Sequence, residues 1–225
     1  YKVPAANLIA ASRDTSKLAD LAAKGVQTRK ADFDDAASLE AAFKGADRVL
    51  IISTDALAVP GQRLKQHTTA VAAAVKSGVK HIAYTSMPSP DKSLVTFAPD
   101  HLGTENAVKA SGLPYTIVRP GWFDHAGPTQ RRLVLEQGGT ADGGLSRDQI
   151  AETLVRSLLT GTALGKTFEL IAAEGEEPSD WAELFGALKS DESGSVDGVL
   201  DPADLPSKPS RRQCAWISTP SVPFA

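Results

Sequence analysis

The chain has 225 residues, 42% of them apolar and 23% charged, with a net charge of −3. It is long enough for one large domain with a buried core, and it lacks the basic field that gathers nucleic acid. No apolar run reaches the about 18 residues of a membrane span, and the single Cys214 excludes an internal disulfide framework and a multi-thiolate metal site.

In chain order the pattern alternates between strand and helix. Asn7 to Ala11 is a short apolar run read as a strand, and Thr15 to Lys24 has helical spacing closed by Gly25. Val26 to Ala31 alternates as a strand does and ends in ADFDD, where Asp35 or Ser38 can cap the next helix. Arg48 to Ile52 (RVLII) is a continuous apolar strand of the kind found in parallel sheets covered on both faces. An Ala-rich helix follows over Gln62 to Ser77, then a strand over Lys80 to Tyr84 and a Pro- and Ser-rich loop over Met87 to Pro99. Asp100 to Ser111 reads as a helix and Tyr115 to Val118 as a strand. Beyond Trp122 lie a glycine loop (Gly138 to Gly144), a helix over Asp148 to Thr160 with a Ser146/Gln149 capping box, a strand over Lys166 to Ile171, and a short helix over Asp180 to Lys189. Short connections between alternating elements predict a doubly wound α/β domain. The predicted organisation is a nucleotide-binding domain over 1–123, a small substrate lobe over 124–190 and a loop-rich tail over 191–225.

In such a sheet ligands bind beyond the carboxyl ends of the strands. After the first strand stand Ser12 and Arg13, which favour the 2′-phosphate of NADP(H) over the diol of NAD; a solvated arginine is the alternative. Asp32 and Phe33 after the second strand can receive an adenine ring, or the acid can simply cap a helix. Ser53 and Thr54 are small enough for close backbone approach, and Thr85 and Ser86 stand where a nicotinamide would meet its substrate. The Pro120-Gly121 turn can fold over that ring, and Trp122 and Phe123 can wall an apolar pocket or pack in the core. His67, His81, His101 and His125 show no metal-ligand spacing, so no metal site is expected. His67 and His81 read as structural, whereas His101 and His125 are polar candidates. Cys214 reads as an incidental thiol in a reducing cytoplasm.

The stretches VPAANLIAASRD, GVQTRKADFDDAASLEAAFKGADRVLIIST, GVKHIAYTSM and APDHLGTENAVKASGLPYTIVRPGWF occur in this order. Together they resemble the NmrA-like group of atypical short-chain dehydrogenase/reductases, on the branch of NAD(P)H:quinone oxidoreductase type 2 and triphenylmethane reductase. The resemblance implies a Rossmann-like, doubly wound parallel sheet with a small C-terminal substrate lobe. It also places Tyr1 at the end of the family's first helix, so the first strand, the glycine turn and most of the first helix, roughly twenty or more residues by ordinary βαβ length, are expected upstream, and weak or no cofactor binding follows for the chain as it stands.

By position, the resemblance implies Arg13 at the adenosine phosphate, Asp32 and Phe33 around adenine, and Ile52 and Ser53 along the diphosphate–ribose path. Thr85, Ser86 and Met87 fall near the nicotinamide, with Pro120, Gly121, Trp122 and Phe123 closing over it. The Tyr-x-x-x-Lys pair of the classical enzymes is absent, and the matching helix start reads His101-Leu-Gly-Thr-Glu105. His101 and Ser86 are the catalytic candidates, His101 to orient the acceptor or supply a proton. The function implied is NADP(H)-dependent reduction of a quinone-like or other flat apolar acceptor by hydride transfer. An NADP-sensing regulator without turnover, as the group also contains, is the alternative. The partner expected is a small apolar molecule, with no nucleic acid and no membrane; a homodimer is compatible with this reading.

Overall fold

The computed structural model describes residues 3–139 and 141–192. The tail expected over 191–225, apart from its first two residues, and Cys214 with it, lies outside the described residues, as do Tyr1 and Lys2.

Two ladders form the main sheet structure. In the first, β1 (Ile9–Ser12) pairs with β2 (Gln27–Lys30), with Ile9 opposite Gln27 and Ser12 opposite Lys30. The second, running β3 (Arg48–Ile51), β4 (His81–Thr85), β5 (Tyr115–Pro120), β9 (Lys166–Ala173), β7 (Arg132–Glu136), is parallel except for its last strand. No backbone pairing joins β1 to β3 among the described residues. The helices are α1 (Ala19–Ala23), α2 (Ala36–Phe43), α3 (Gln62–Lys76), α4 (Ala98–Ala110), α5 (Arg147–Leu159) and α6 (Trp181–Gly186). A two-stranded parallel piece, β6 (Trp122–Phe123) with β8 (Gly144–Leu145), sits just past β5.

The larger sheet is covered on both faces, which is why its central strands read as apolar runs. All five residues of β4 are buried. Alternate residues of a strand point to opposite faces. Ile117 of β5 thus joins a core with Leu39 of α2, Ala70 and Ala74 of α3, and Tyr84, while its neighbour Val118 joins Leu154 of α5, Phe168, Leu170 and Phe185 on the other face. Each fully buried Leu, Ile or Phe contributes about 1.5–3 kcal/mol. The capping box is present in full: Ser146 Oγ accepts from Gln149 N–H while Gln149 Oε1 accepts from Ser146 N–H.

Several elements differ from the sequence expectation. The stretch over Thr15 to Lys24 is a 3₁₀ turn (Thr15–Leu18) running into the short α1, and neither buries a residue. Strand β5 runs two residues further, through Arg119 and Pro120. Strands β6, β7 and β8 were not anticipated, and β7 turns the sheet from purely parallel to mixed. Leu133-Val134-Leu135 was the available signal for β7, a short apolar run whose pairing is supplied by β9, about forty residues later by the register Leu133 to Ala172.

Candidate active site

A cleft of about 480 Å³ opens at the carboxyl ends of β1, β2 and β3. Ser12 and Arg13 form one wall, Phe33 another, and Ser53, Thr54 and Gln66 a third. The structure therefore brings Arg13, Phe33 and Ser53 together from three separate strand ends. Arg13 is exposed at the rim. Asp32 is used differently: its Oδ1 accepts the N–H of Asp34, closing the turn that presents Phe33, while Asp35 caps α2 by accepting from Ala37 and Ser38 N–H. Ile52 does not line the cleft and is 63% exposed.

The loop after β3 is held from two sides. Ser53 N–H donates to Thr85 Oγ1 (2.9 Å) and Ser53 Oγ donates to the Thr85 carbonyl (2.6 Å), which ties the ends of β3 and β4 together. Thr54 N–H donates to His67 Nε2 (3.0 Å) and Thr54 Oγ1 to Gln66 Oε1 (2.8 Å), while Gln66 Nε2 donates to Asp34 Oδ2 (2.8 Å). Because a backbone N–H can only donate, His67 accepts at Nε2 and carries its proton on Nδ1, which donates to Thr104 Oγ1 (2.9 Å); that hydroxyl passes its own proton to the Asp100 carbonyl (2.7 Å). Burial, with Arg63 nearby, lowers the His67 pKa to about 4, so the imidazole is neutral and can accept. His67 thus fixes the shape of the cleft wall. His67→Ala leaves the Thr54 amide without its acceptor and should cost about 1–3 kcal/mol in denaturant unfolding, whereas His67→Gln, which keeps an acceptor, should recover part of that loss; equal losses would show that the amide bond is not what matters.

From Phe33 a series of ring contacts runs inward to α4. Phe33 meets His67 edge-on at 6.3 Å, His67 meets Tyr84 at 5.6 Å, Tyr84 meets His101 at 6.1 Å, and His101 meets Phe97 at 5.8 Å. The Tyr84 hydroxyl lies 2.9 Å from His101 Nδ1 and is pushed up to about 12 by burial. Burial, then the charge of Arg63, takes His101 down to about 3. A neutral, buried His101 is suited to orienting a neighbour and is not an imidazolium proton donor near pH 7. Ser86, at the end of β4, is buried and its Oγ has no hydrogen-bond partner.

Past β5 the chain turns at Gly121. Gly121 N–H donates to the Leu170 carbonyl and Trp122 N–H to the Gly143 carbonyl, setting Trp122 and Phe123 on β6 with 49% and 52% of their surface exposed. Both lie at the surface, where they can wall a pocket. Behind them Arg119 is buried between two carboxylates. Its Nε and Nη2 meet Glu105 at 2.9 and 2.7 Å and its Nη1 meets Glu169 at 3.1 Å, while Glu169 Oε2 accepts Gly139 N–H. Burial opposes the guanidinium charge, but the two acids hold its pKa above the ordinary arginine value. Glu105, four residues after His101, is thus committed to an ion pair. His81 pairs through Nε2 with Thr116 Oγ1 (3.0 Å) inside the sheet, away from the cleft. Among the described residues no three His, Cys, Asp or Glu side chains gather to hold a metal, and no helix is long and apolar enough to cross a membrane.

Residues 4–160 match the family described as NAD(P)H-binding. The chain belongs to that family. It is 35% identical to quinone oxidoreductase 2 of Escherichia coli over 225 residues, covering 88% of this chain and 77% of that protein. It is 32% identical to an NAD(P)H azoreductase of Xenophilus azovorans over 112 residues, covering 49% and 38%. Among solved structures, the E. coli NADPH-dependent quinone oxidoreductase complexed with NADPH superposes with a TM-score of 0.64 at 33% identity, over 77% of this chain and 64% of that one. Triphenylmethane reductase of Citrobacter sp. complexed with NADP(H) superposes at 0.63 and 29% identity, over 73% and 60%. The chain thus spans less than two thirds of the length of either solved relative. The family membership and the Rossmann-like sheet agree with the expectation from the sequence.

Proposed function

We propose that this chain carries the working part of an NADPH-dependent oxidoreductase for a flat apolar acceptor of the quinone type. The observation that carries the reading is the cleft, which gathers Arg13, Phe33 and Ser53 at the carboxyl ends of three strands, where open α/β sheets take their ligands. The residues fit the cofactor: an exposed cation for the 2′-phosphate, a ring for adenine, and small side chains where backbone must come close. When bound, NADPH supplies a hydride. Asp32 holds the turn under Phe33, and Thr85 is tied to Ser53 so that the floor beneath a nicotinamide is rigid. Ser86 Oγ, which has no partner within the fold, would donate to an acceptor carbonyl, and the exposed Trp122 and Phe123 would offer that acceptor an apolar wall. His101 acts through Tyr84 as a positioning residue. The relatives that reduce quinones, azo compounds and triphenylmethane dyes share the acceptor geometry, flat and conjugated. The one cysteine in the sequence supports a cytoplasmic setting.

The test is to mix the full-length protein with NADPH and a benzoquinone and follow the near-ultraviolet absorbance of the reduced nicotinamide. Acceptor-dependent loss of that absorbance is expected. Saturable NADPH binding with no loss in the presence of any quinone, azo dye or triphenylmethane dye would overturn the reductase reading in favour of a sensor.

A further inference from the structure

Among the described residues two buried side-chain polar atoms have no hydrogen-bond partner: Ser86 Oγ and Arg63 Nε. Both stand beside Tyr84. Ser86 follows it by two residues, on the same face of an extended segment. Arg63, in the first turn of α3, is only 8% exposed and places its guanidinium carbon 5.2 Å from the centre of the Phe97 ring, next to His101.

An arginine in this position is anomalous. Its guanidinium has five N–H donors and stays charged, and burying such a charge is unfavourable unless it is paired. Here the neighbours are neutral: Tyr84 with its raised pKa, and His67 and His101 with theirs lowered. Asp55 and Asp100 are the nearest carboxylates, yet neither closes an ion pair with it. The Phe97 ring faces the cation, and a ring face offsets only part of its charge. An uncompensated buried donor is one mark of a functional site, where a ligand brings the missing partner.

We infer that Arg63 is the anion-binding residue of the acceptor subsite, receiving a negatively charged oxygen of the acceptor while Ser86 donates to a second oxygen. The inference rests on the reductase reading for the word acceptor, but its test does not. Such an oxygen can belong to a fixed sulfonate or carboxylate substituent, or to the phenolate of the reduced product.

Binding is measured by quenching of intrinsic tryptophan fluorescence, with benzenesulfonate, naphthoquinone and naphthoquinone sulfonate as probes. Wild type should bind the sulfonated quinone about tenfold or more tightly than the neutral one, the scale of a hydrogen bond to a charged group. Arg63→Met should abolish that preference and Arg63→Lys should retain part of it. Arg63→Met should also raise the melting temperature of the ligand-free protein by about 2–4 °C, because it removes an unpaired buried charge. A purely structural arginine would give the opposite sign. An unchanged sulfonate preference in Arg63→Met, or a loss of NADPH affinity in place of acceptor affinity, overturns the inference. Benzenesulfonate cannot be reduced, so its capture by Arg63 without any quinone turnover would sustain the subsite and defeat the reductase reading; turnover indifferent to Arg63 would do the reverse.

Discussion

Replacing Arg119 by Met should lower the melting temperature by roughly 10 °C, since removing one partner of a buried ionic cluster costs about 3–5 kcal/mol and each kcal/mol is worth about 2–4 °C in a domain of this size. The reason lies in what the substitution leaves behind. Arg119 and Glu105 have side chains only 2% and 0% exposed and pair through two bonds, while Glu169, 1% exposed, leans on the same guanidinium. Without the cation, two carboxylates face each other in the core with no counter-charge. Circular dichroism melts decide the matter, and a shift under about 2 °C would mean that the carboxyls simply take up protons at little cost. Glu169 provides a companion measurement. Burial raises its pKa above 4.5, with Arg119 pulling the other way. A raised carboxyl contributes stability that is fully present below pH 4.5 and lost as pH rises through the folded value. Glu169→Gln cannot ionise, so its stability relative to wild type should improve from pH 4.5 upward; a difference that stays flat with pH would remove Glu169 from the account.

Gly121→Ala should cut quinone-dependent NADPH oxidation about a hundredfold, the scale of a misplacement near 1 Å at a reacting site. A Cβ on Gly121 would fall well inside contact distance of the Gly143 carbonyl oxygen and press on Ile171 Cγ2. That same carbonyl accepts the Trp122 N–H that pairs β6 with β8, so relief of the clash must move Trp122 and Phe123. The loss should appear in kcat/KM for the acceptor, with NADPH affinity at the Arg13 end of the cleft little changed. Full activity in Gly121→Ala would show that the aromatic pair is not a wall of the acceptor site.

Part of the candidate cleft was legible because a parallel sheet presents its ligand at the residues following each strand. Arg13, Phe33 and Ser53 could be chosen by that rule alone, and they share one cleft. Trp122 and Phe123, open to either core or pocket on sequence grounds, lie exposed. Asp32 shows the limit of the rule: an acid after a strand also closes turns, and its carboxylate is engaged by Asp34 N–H.

What the sequence determined by itself was local. Hydrophobic period set most strands and helices through Val118, and cap residues marked where helices begin, as Ser146 and Gln149 do for α5. What only the tertiary structure decided were the pairings between distant segments. Leu133 to Leu135 becomes a strand because β9 offers it an edge. His67, on a helix that reads as an ordinary Ala-rich repeat, becomes an acceptor for Thr54 because α3 packs beside the end of β3. Arg119 reaches Glu105 and Glu169 across 14 and 50 residues of sequence, and Arg63 Nε is left without a partner while its guanidinium faces the Phe97 ring. Side-chain charge is written in the sequence, but whether it is compensated depends on which groups folding brings within a few ångströms and how far it removes them from water.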